Sequence, residues 1–226
     1  MTLIIQKPTG AKLVLSKIQQ YPAVLGEPWG GGYFAGYISH TADGNPTHAL
    51  IVAPRATGAT GGGYTLTTPL AWKTASTATA GTTSDFDGAA NTAAMVTAGI
   101  NDHPAAKFCV DLNIGGFTDW YLPSRYELDI AYFNLKPSID ANNTSWGINS
   151  YSVPKRTINN TATYPAQTSL TAFNTSSQAF VASDHWSSTE STPTANGWFS
   201  RVDNGQLNNT AKTFGSRVRA FRRIAL

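Results

Sequence analysis

The ten residues from Asp119 to Leu128, DWYLPSRYEL, constrain the fold more tightly than any other stretch of the chain. Ser124 is a natural N-cap, whose hydroxyl can accept from the Glu127 amide while the Glu127 carboxylate reaches back to the Ser124 N–H. Pro123 before this capping box and Leu128 at the fourth helical position can pack as the staple that sets the entry angle. Leu128, Ala131, Tyr132 and Leu135 then recur at helical spacing, and Pro137 stops the helix. The pattern predicts a short amphipathic helix with a buried aromatic, Trp120, just ahead of it.

Composition narrows the class. Charged residues make up 13% of the 226, about half the usual share, while Gly, Thr, Ser, Ala and Asn abound. That balance suits a rigid, turn-rich, largely β surface protein better than a metabolic enzyme. The length allows a sizeable core without covalent staples. A net charge of +3 is too mild to argue for nucleic acid. Cys109 is the only cysteine, which leaves no intrachain disulfide and no Cys-rich zinc site. The opening MTLIIQKPTGAKL lacks the basic and long apolar regions of a signal peptide, and no apolar run is long enough to cross a bilayer. A protein folded in a reducing cytoplasm, without membrane insertion, is expected.

Along the chain, residues 2–20 read as two apolar strands around Pro8-Thr9-Gly10. Such an arm is too small to stand alone, so residues 1–25 are expected to attach the chain to an assembly or to a sister copy, with plain packing on the main body as the alternative. Glycine-rich aromatic strands follow from Gly26, with a turn at Asp43-Gly44-Asn45-Pro46 and a buried strand from Ala49 to Val52. Residues 57–83 read as a long loop tied down by Trp72. Asp85-Phe86-Asp87-Gly88 lacks the rest of a calcium-ligand series and reads as a turn before a helix. Asn91 is the expected cap of that helix, which runs to Gly99. Pro104 opens another, with Ala105, Phe108, Cys109 and Leu112 on one face. None of the four histidines has ligand spacing to a second metal-binding side chain.

Residues 138–182 read as an ordered Ser/Thr/Asn-rich insertion anchored by Trp146, Tyr151, Tyr164, Phe173 and Phe180. After it, Trp198, Ser200 and Val202 alternate with Phe199, Arg201 and Asp203, and Asn204-Gly205 predicts a type I′ turn. A strand returning through Thr210 to Phe214 is expected, then a closing strand from Gly215 to Ile224. Its four arginines fall on both faces, which argues against a phosphate-tracking stripe.

The order DWYLPSRYEL, HWSSTE, GWFSRVDNG and SRVRAFRR resembles the Lcl C-terminal-domain-like family, a branch of the C-type lectin-like fold. That family reads DW-x-LP-[ST]-x-x-EL, an aromatic-W-[ST]-S-[ST]-E word, a Trp-rich hairpin and a closing VR-x-VR strand. GGYFAGYISH, DFDGAANTAAMV and AAKFCVDLNIGGFTDW are similar to its first half, so the resemblance spans about Gly26 to Arg223. His185 stands where an aromatic normally precedes the tryptophan, and the insertion after Pro137 is long. The resemblance implies an α+β chain: small twisted antiparallel sheets, two or three short helices and long ordered loops over 26–226, plus the N-terminal arm. Related domains occur in phage tail and virion proteins and in the variable proteins of diversity-generating retroelements. In the latter, strands between the WSS word and the closing strand display changeable contact side chains.

On that basis Trp120, Ser124, Glu127, Trp186 and Trp198 are expected to hold the frame. Phe199, Arg201, Asn204, Asn208, Asn209 and Lys212 are the expected ligand contacts, exposed on the hairpin. The expected role is a non-enzymatic virion surface protein that binds a host cell-surface protein or glycan. Its arm would join other virion proteins, with a homo-oligomer, a trimer above all, as the state. The alternatives are a structural virion protein without a receptor and a surface-polysaccharide hydrolase. For the last, Asp184 with Glu190 is the best carboxylate pair outside the capping box. The calcium-type sugar words EPN, QPD and WND are absent, and no cofactor or metal is expected.

Overall fold

The segment His48–Val52 lies at the centre of the molecule with both faces covered. Ala49 and Ile51 point into one apolar cluster, and Leu50 and Val52 into another. Burial on two sides is why HALIV is a nearly continuous apolar run without polar alternation.

The computed structural model describes residues 21–55, 62–65, 67–174 and 177–226. The elements, in order, are β1 (Pro28–Trp29), β2 (Gly32–Ile38), β3 (His48–Val52), β4 (Leu70–Ala71), α1 (Gly88–Gly99), a 3-10 turn (Ile100–Asp102), α2 (Pro104–Val110) and α3 (Arg125–Leu135). There follow β5 (Ser152–Val153), α4 (Thr171–Asn174), β6 (Asp184–Glu190), β7 (Asn196–Arg201), β8 (Gln206–Ala211), β9 (Gly215–Ser216) and β10 (Phe221–Ala225). The fold is α+β, with small antiparallel sheets and few helices. The main sheet runs β1-β2-β3-β10, with β5 also paired to β2. A two-stranded β4-β9 sheet and a three-stranded β6-β7-β8 sheet complete it. Residues 1–20 of the expected arm lie outside the described residues, but Pro22 is buried and Leu25 packs on the first core cluster.

The first cluster joins Ile51 to Trp72, Met95, Cys109, Trp120, Trp186 and Phe199, so α1 and α2 cover that face. The second joins Leu50 and Val52 to Tyr121, Leu128, Ala131, Tyr132, Leu135 and Phe221, so α3 covers the other. Strand β2 bulges between Phe34 and Gly36, and Asn134 of α3 donates to the freed Ala35 carbonyl at 2.8 Å. Gly36, at φ +129°, is required there because a Cβ would come within 2.4 Å of Asn134 Nδ2.

The capping box of α3 is present: Ser124 Oγ accepts from Glu127 N at 3.4 Å and Ser124 N donates to Glu127 Oε2 at 2.7 Å. Helix α1 is capped differently from expectation. Asp87 accepts from Ala90 N at 2.8 Å, while Asn91 lies inside the helix and clasps Ser84 N and O. Both residue types cap well, and Asp87 wins because its carboxylate also pairs with Arg223 at 2.6 Å. Pro104 does open α2, and Cys109 is fully buried with its thiol pKa pushed up by burial, as a core residue should be. Trp72 anchors its loop as expected, with Nε1 donating to Ser187 O at 2.8 Å.

Within the insertion Phe173 and Phe180 are buried, but Tyr164 is 60% exposed and is no core anchor. The hairpin turn also differs. Residues 202–205 form a four-residue loop closed by Gly205 N donating to Arg201 O at 2.7 Å, and Asn204 keeps a negative φ, which a type I′ turn forbids. The return strand accordingly begins at Gln206 and ends at Ala211. The closing segment breaks into β9 and β10, and its arginines are engaged internally. Arg217 donates to Ser183 Oγ, Arg219 to the Ala53 and Gln178 carbonyls, Arg222 to Asp119 and Arg223 to Asp87.

Candidate binding face

The hairpin β7-β8 forms the outer part of the three-stranded sheet, with β8 at its edge. Arg201 pairs with Gln206, Phe199 with Asn208 and Trp198 with Asn209. Paired residues share a face, so Phe199, Arg201 and Asn208 lie on one side and Asn196, Trp198 and Asn209 on the other. The six expected contact residues therefore do not form one surface.

Arg201 and Asn208 are exposed, and Asn204 and Asn209 are half-buried. Arg201 is held by Asp203 at 3.0 Å and Asp184 at 3.6 Å. Asn204 accepts from Gln206 N at 3.0 Å, and its carbonyl takes the Asn143 amide at 2.8 Å. Asn209 Oδ1 accepts from Asn196 Nδ2 at 2.8 Å.

Phe199 is only 8% exposed, against the expectation. It sits edge-on to Trp186 at 6.2 Å, because its side of the hairpin faces the first core cluster. Lys212 is likewise buried. Its ammonium pairs with Glu190, donates to Thr77 O at 2.8 Å and lies 4.3 Å from the Trp72 ring centre. Trp198, expected as a buried anchor, is half-buried instead. The Arg125 guanidinium lies 4.5 Å over its ring and Trp146 meets it edge-on at 6.3 Å. Arg125 also pairs with Asp85 at 2.6 Å. Arg125 and Trp146 thus join the hairpin from α3 and the insertion. No local sequence pattern could place them there, since both meet Trp198 across more than one element.

Trp120 and Trp186 are buried as expected, and Trp186 Nε1 donates to Leu70 O at 2.8 Å. Beside Trp186, His185 is a neutral, fully buried ring. Its Nδ1 donates to Ser183 O at 2.9 Å, and Nε2 accepts from Tyr64 Oη at 2.7 Å. Phe180 packs edge-on at 5.5 Å. Burial, more than the nearby arginines, lowers its pKa from 6.5 to about 3. The unfolded chain then binds more protons between those limits, so this stability is complete above pH 6.5 and drains as pH falls, by about 1.4 kcal/mol per pH unit. A pH series of urea unfolding read by tryptophan fluorescence should show His185→Phe losing roughly one proton of that dependence. An unchanged slope would mean the ring titrates normally.

Asp184 and Glu190 occupy opposite ends of β6, beside Arg201 and Gly197 of β7, on the order of 13 Å apart at ordinary strand rise. Paired glycosidase carboxylates lie about 5–9.5 Å apart. Glu190 is moreover occupied by Lys212, while burial raises the Asp184 pKa against the pull of Arg201. Among the described residues no group of three or more His, Cys, Asp or Glu could hold a metal, and no helix is long and apolar enough to cross a membrane. No protein-family model and no curated protein matches the chain.

Proposed function

We propose that the chain is a non-enzymatic virion surface protein of phage type, which presents a C-type lectin-like domain to a receptor on the host cell. The observation that carries this reading is the open edge of the β7-β8 hairpin, where Arg201 and Asn208 stand exposed on the same face as the buried Phe199. Phe199 against Trp186 pins the hairpin to the core, so the exposed side chains beside it on the same face can bind with little ordering cost. Arginine and asparagine are suited to polar, adaptable contacts. The lectin-like part of the reading is supported by the terminal strand returning beside β3, the helices on either side and the capping box ahead of α3. In this reading the arm of residues 1–25 joins other virion proteins and sets the oligomer.

The test is retention of the labelled full chain on a panel of bacterial cells. The variant Arg201→Ser with Asn208→Ala should weaken retention by about tenfold, the loss of one good contact. Its melting temperature should barely move, because both side chains are exposed. Equal retention of variant and parent would remove the hairpin from recognition. A chain that binds no cell yet assembles into particles would be structural only.

A further inference from the structure

A recess lies in the insertion, lined by no residue of the hairpin. It has a volume of about 370 Å3 and is bounded by Phe133 of α3 and by the chain between Pro154 and Tyr164. That volume is at the lower end of small-ligand sites. Two large side chains at its wall are left to water, Ile158 at 76% and Tyr164 at 60% exposure. The Tyr164 ring is fixed edge-on to Phe133 at 5.3 Å, and Arg156 lies 4.4 Å over the same phenyl ring. The wall is therefore preformed, without being covered.

Its polar lining is one-sided. Lys155 and Arg156 bring two cations and no carboxylate lines the recess. Arg156 is matched by Asp129, whereas Lys155 enters none of the ion pairs between described residues and meets only the Ala42 carbonyl at 3.5 Å. An occupant that complements this wall has an apolar face for Tyr164 and Ile158 and a negative charge for Lys155.

We infer that the recess binds a carboxylate-bearing monosaccharide, of uronic-acid or sialic-acid chemistry, with its C–H face on Tyr164 and its carboxylate at Lys155. The site shares nothing with the hairpin, so either proposal can fail while the other stands. Amide NMR of the full chain tests it, with glucuronic acid and N-acetylneuraminic acid as probes, glucose and N-acetylglucosamine as neutral controls, and acetate as a carboxylate without a ring. Saturable shifts confined to residues 154–164 are expected for the acids, with the neutral sugars and acetate about tenfold weaker. Lys155→Gln, at an exposed position, should lower acid affinity about tenfold and leave neutral sugars unchanged. Tyr164→Ala should abolish binding of both kinds. Equal affinity for acid and neutral sugars, an unaltered Lys155→Gln variant, acetate binding as well as the acids, or no shift at millimolar concentration would each overturn the proposal.

Discussion

Lys212→Ala is expected to lower the free energy of unfolding by about 3–5 kcal/mol, the cost of breaking a buried ion pair from one side. The substitution leaves the Glu190 carboxylate, 7% exposed, with the Thr79 amide at 2.6 Å as its remaining donor. It also takes the shorter of two lysine donors from Thr77 O and the cation from the Trp72 face. Removing both charges, with Lys212→Met and Glu190→Leu together, should recover a large part of the loss, since apolar replacement of a buried pair is often neutral. Arg201→Ser, at an exposed pair, should change stability by under about 1 kcal/mol. Equilibrium denaturation in urea separates these outcomes. A Lys212→Ala variant as stable as the parent would return position 212 to the surface that the hairpin alternation assigns it.

Glu127→Gln should change the pH dependence of stability in the sense opposite to His185→Phe. The carboxylate is completely buried and links two helix starts: it accepts from Ser124 N at 2.7 Å, from Gly88 N of α1 at 3.2 Å and from Tyr121 Oη at 2.7 Å. Burial outweighs these hydrogen bonds and raises the pKa from 4.5 to about 7. The folded chain therefore holds a proton that the unfolded chain releases across this window. Stability from this group is greatest below pH 4.5 and falls by on the order of 3 kcal/mol as pH rises to 7. Glutamine can keep the same partners, with its oxygen toward the two amides and its NH2 toward the Tyr121 hydroxyl, which then accepts. The variant should gain on the parent between pH 5 and pH 8 when melting temperatures are compared. A constant difference across that range would show that Glu127 is ionised throughout. Its window overlaps that of His185 with the opposite sign, so the parent profile should be flatter than either variant's.

Local chemistry was the legible part. Ser124 and Glu127 lie three residues apart, and the capping box needs nothing beyond them. The central strand was readable because HALIV is apolar at successive positions. What failed was the choice between faces. Phe199 and Trp198 are both aromatic, and alternation says only that they point opposite ways. Phe199 faces the core because Trp186 is its cross-strand partner, while Trp198 is shared with Arg125 and Trp146, which arrive from elsewhere in the chain. Lys212 could not be placed either, since its partners, Glu190, Thr77 and Trp72, are remote in sequence and lysine ordinarily stays in water. The expected turn failed for a similar reason. Gly205 is set by the Tyr132 ring, which a Cβ would meet at 2.2 Å, as well as by the residues beside it.

The pairing of Phe221 with Val52 and of Ala225 with His48 has a consequence for synthesis. The hydrophobic middle of the molecule stays one strand short until residues 221–225 have emerged from the ribosome, and such sequence-distant closure is slow. Until then the edge of β3 is an unpaired, sticky ribbon, and crowding of nascent chains would favour neighbour-to-neighbour pairing over correct release.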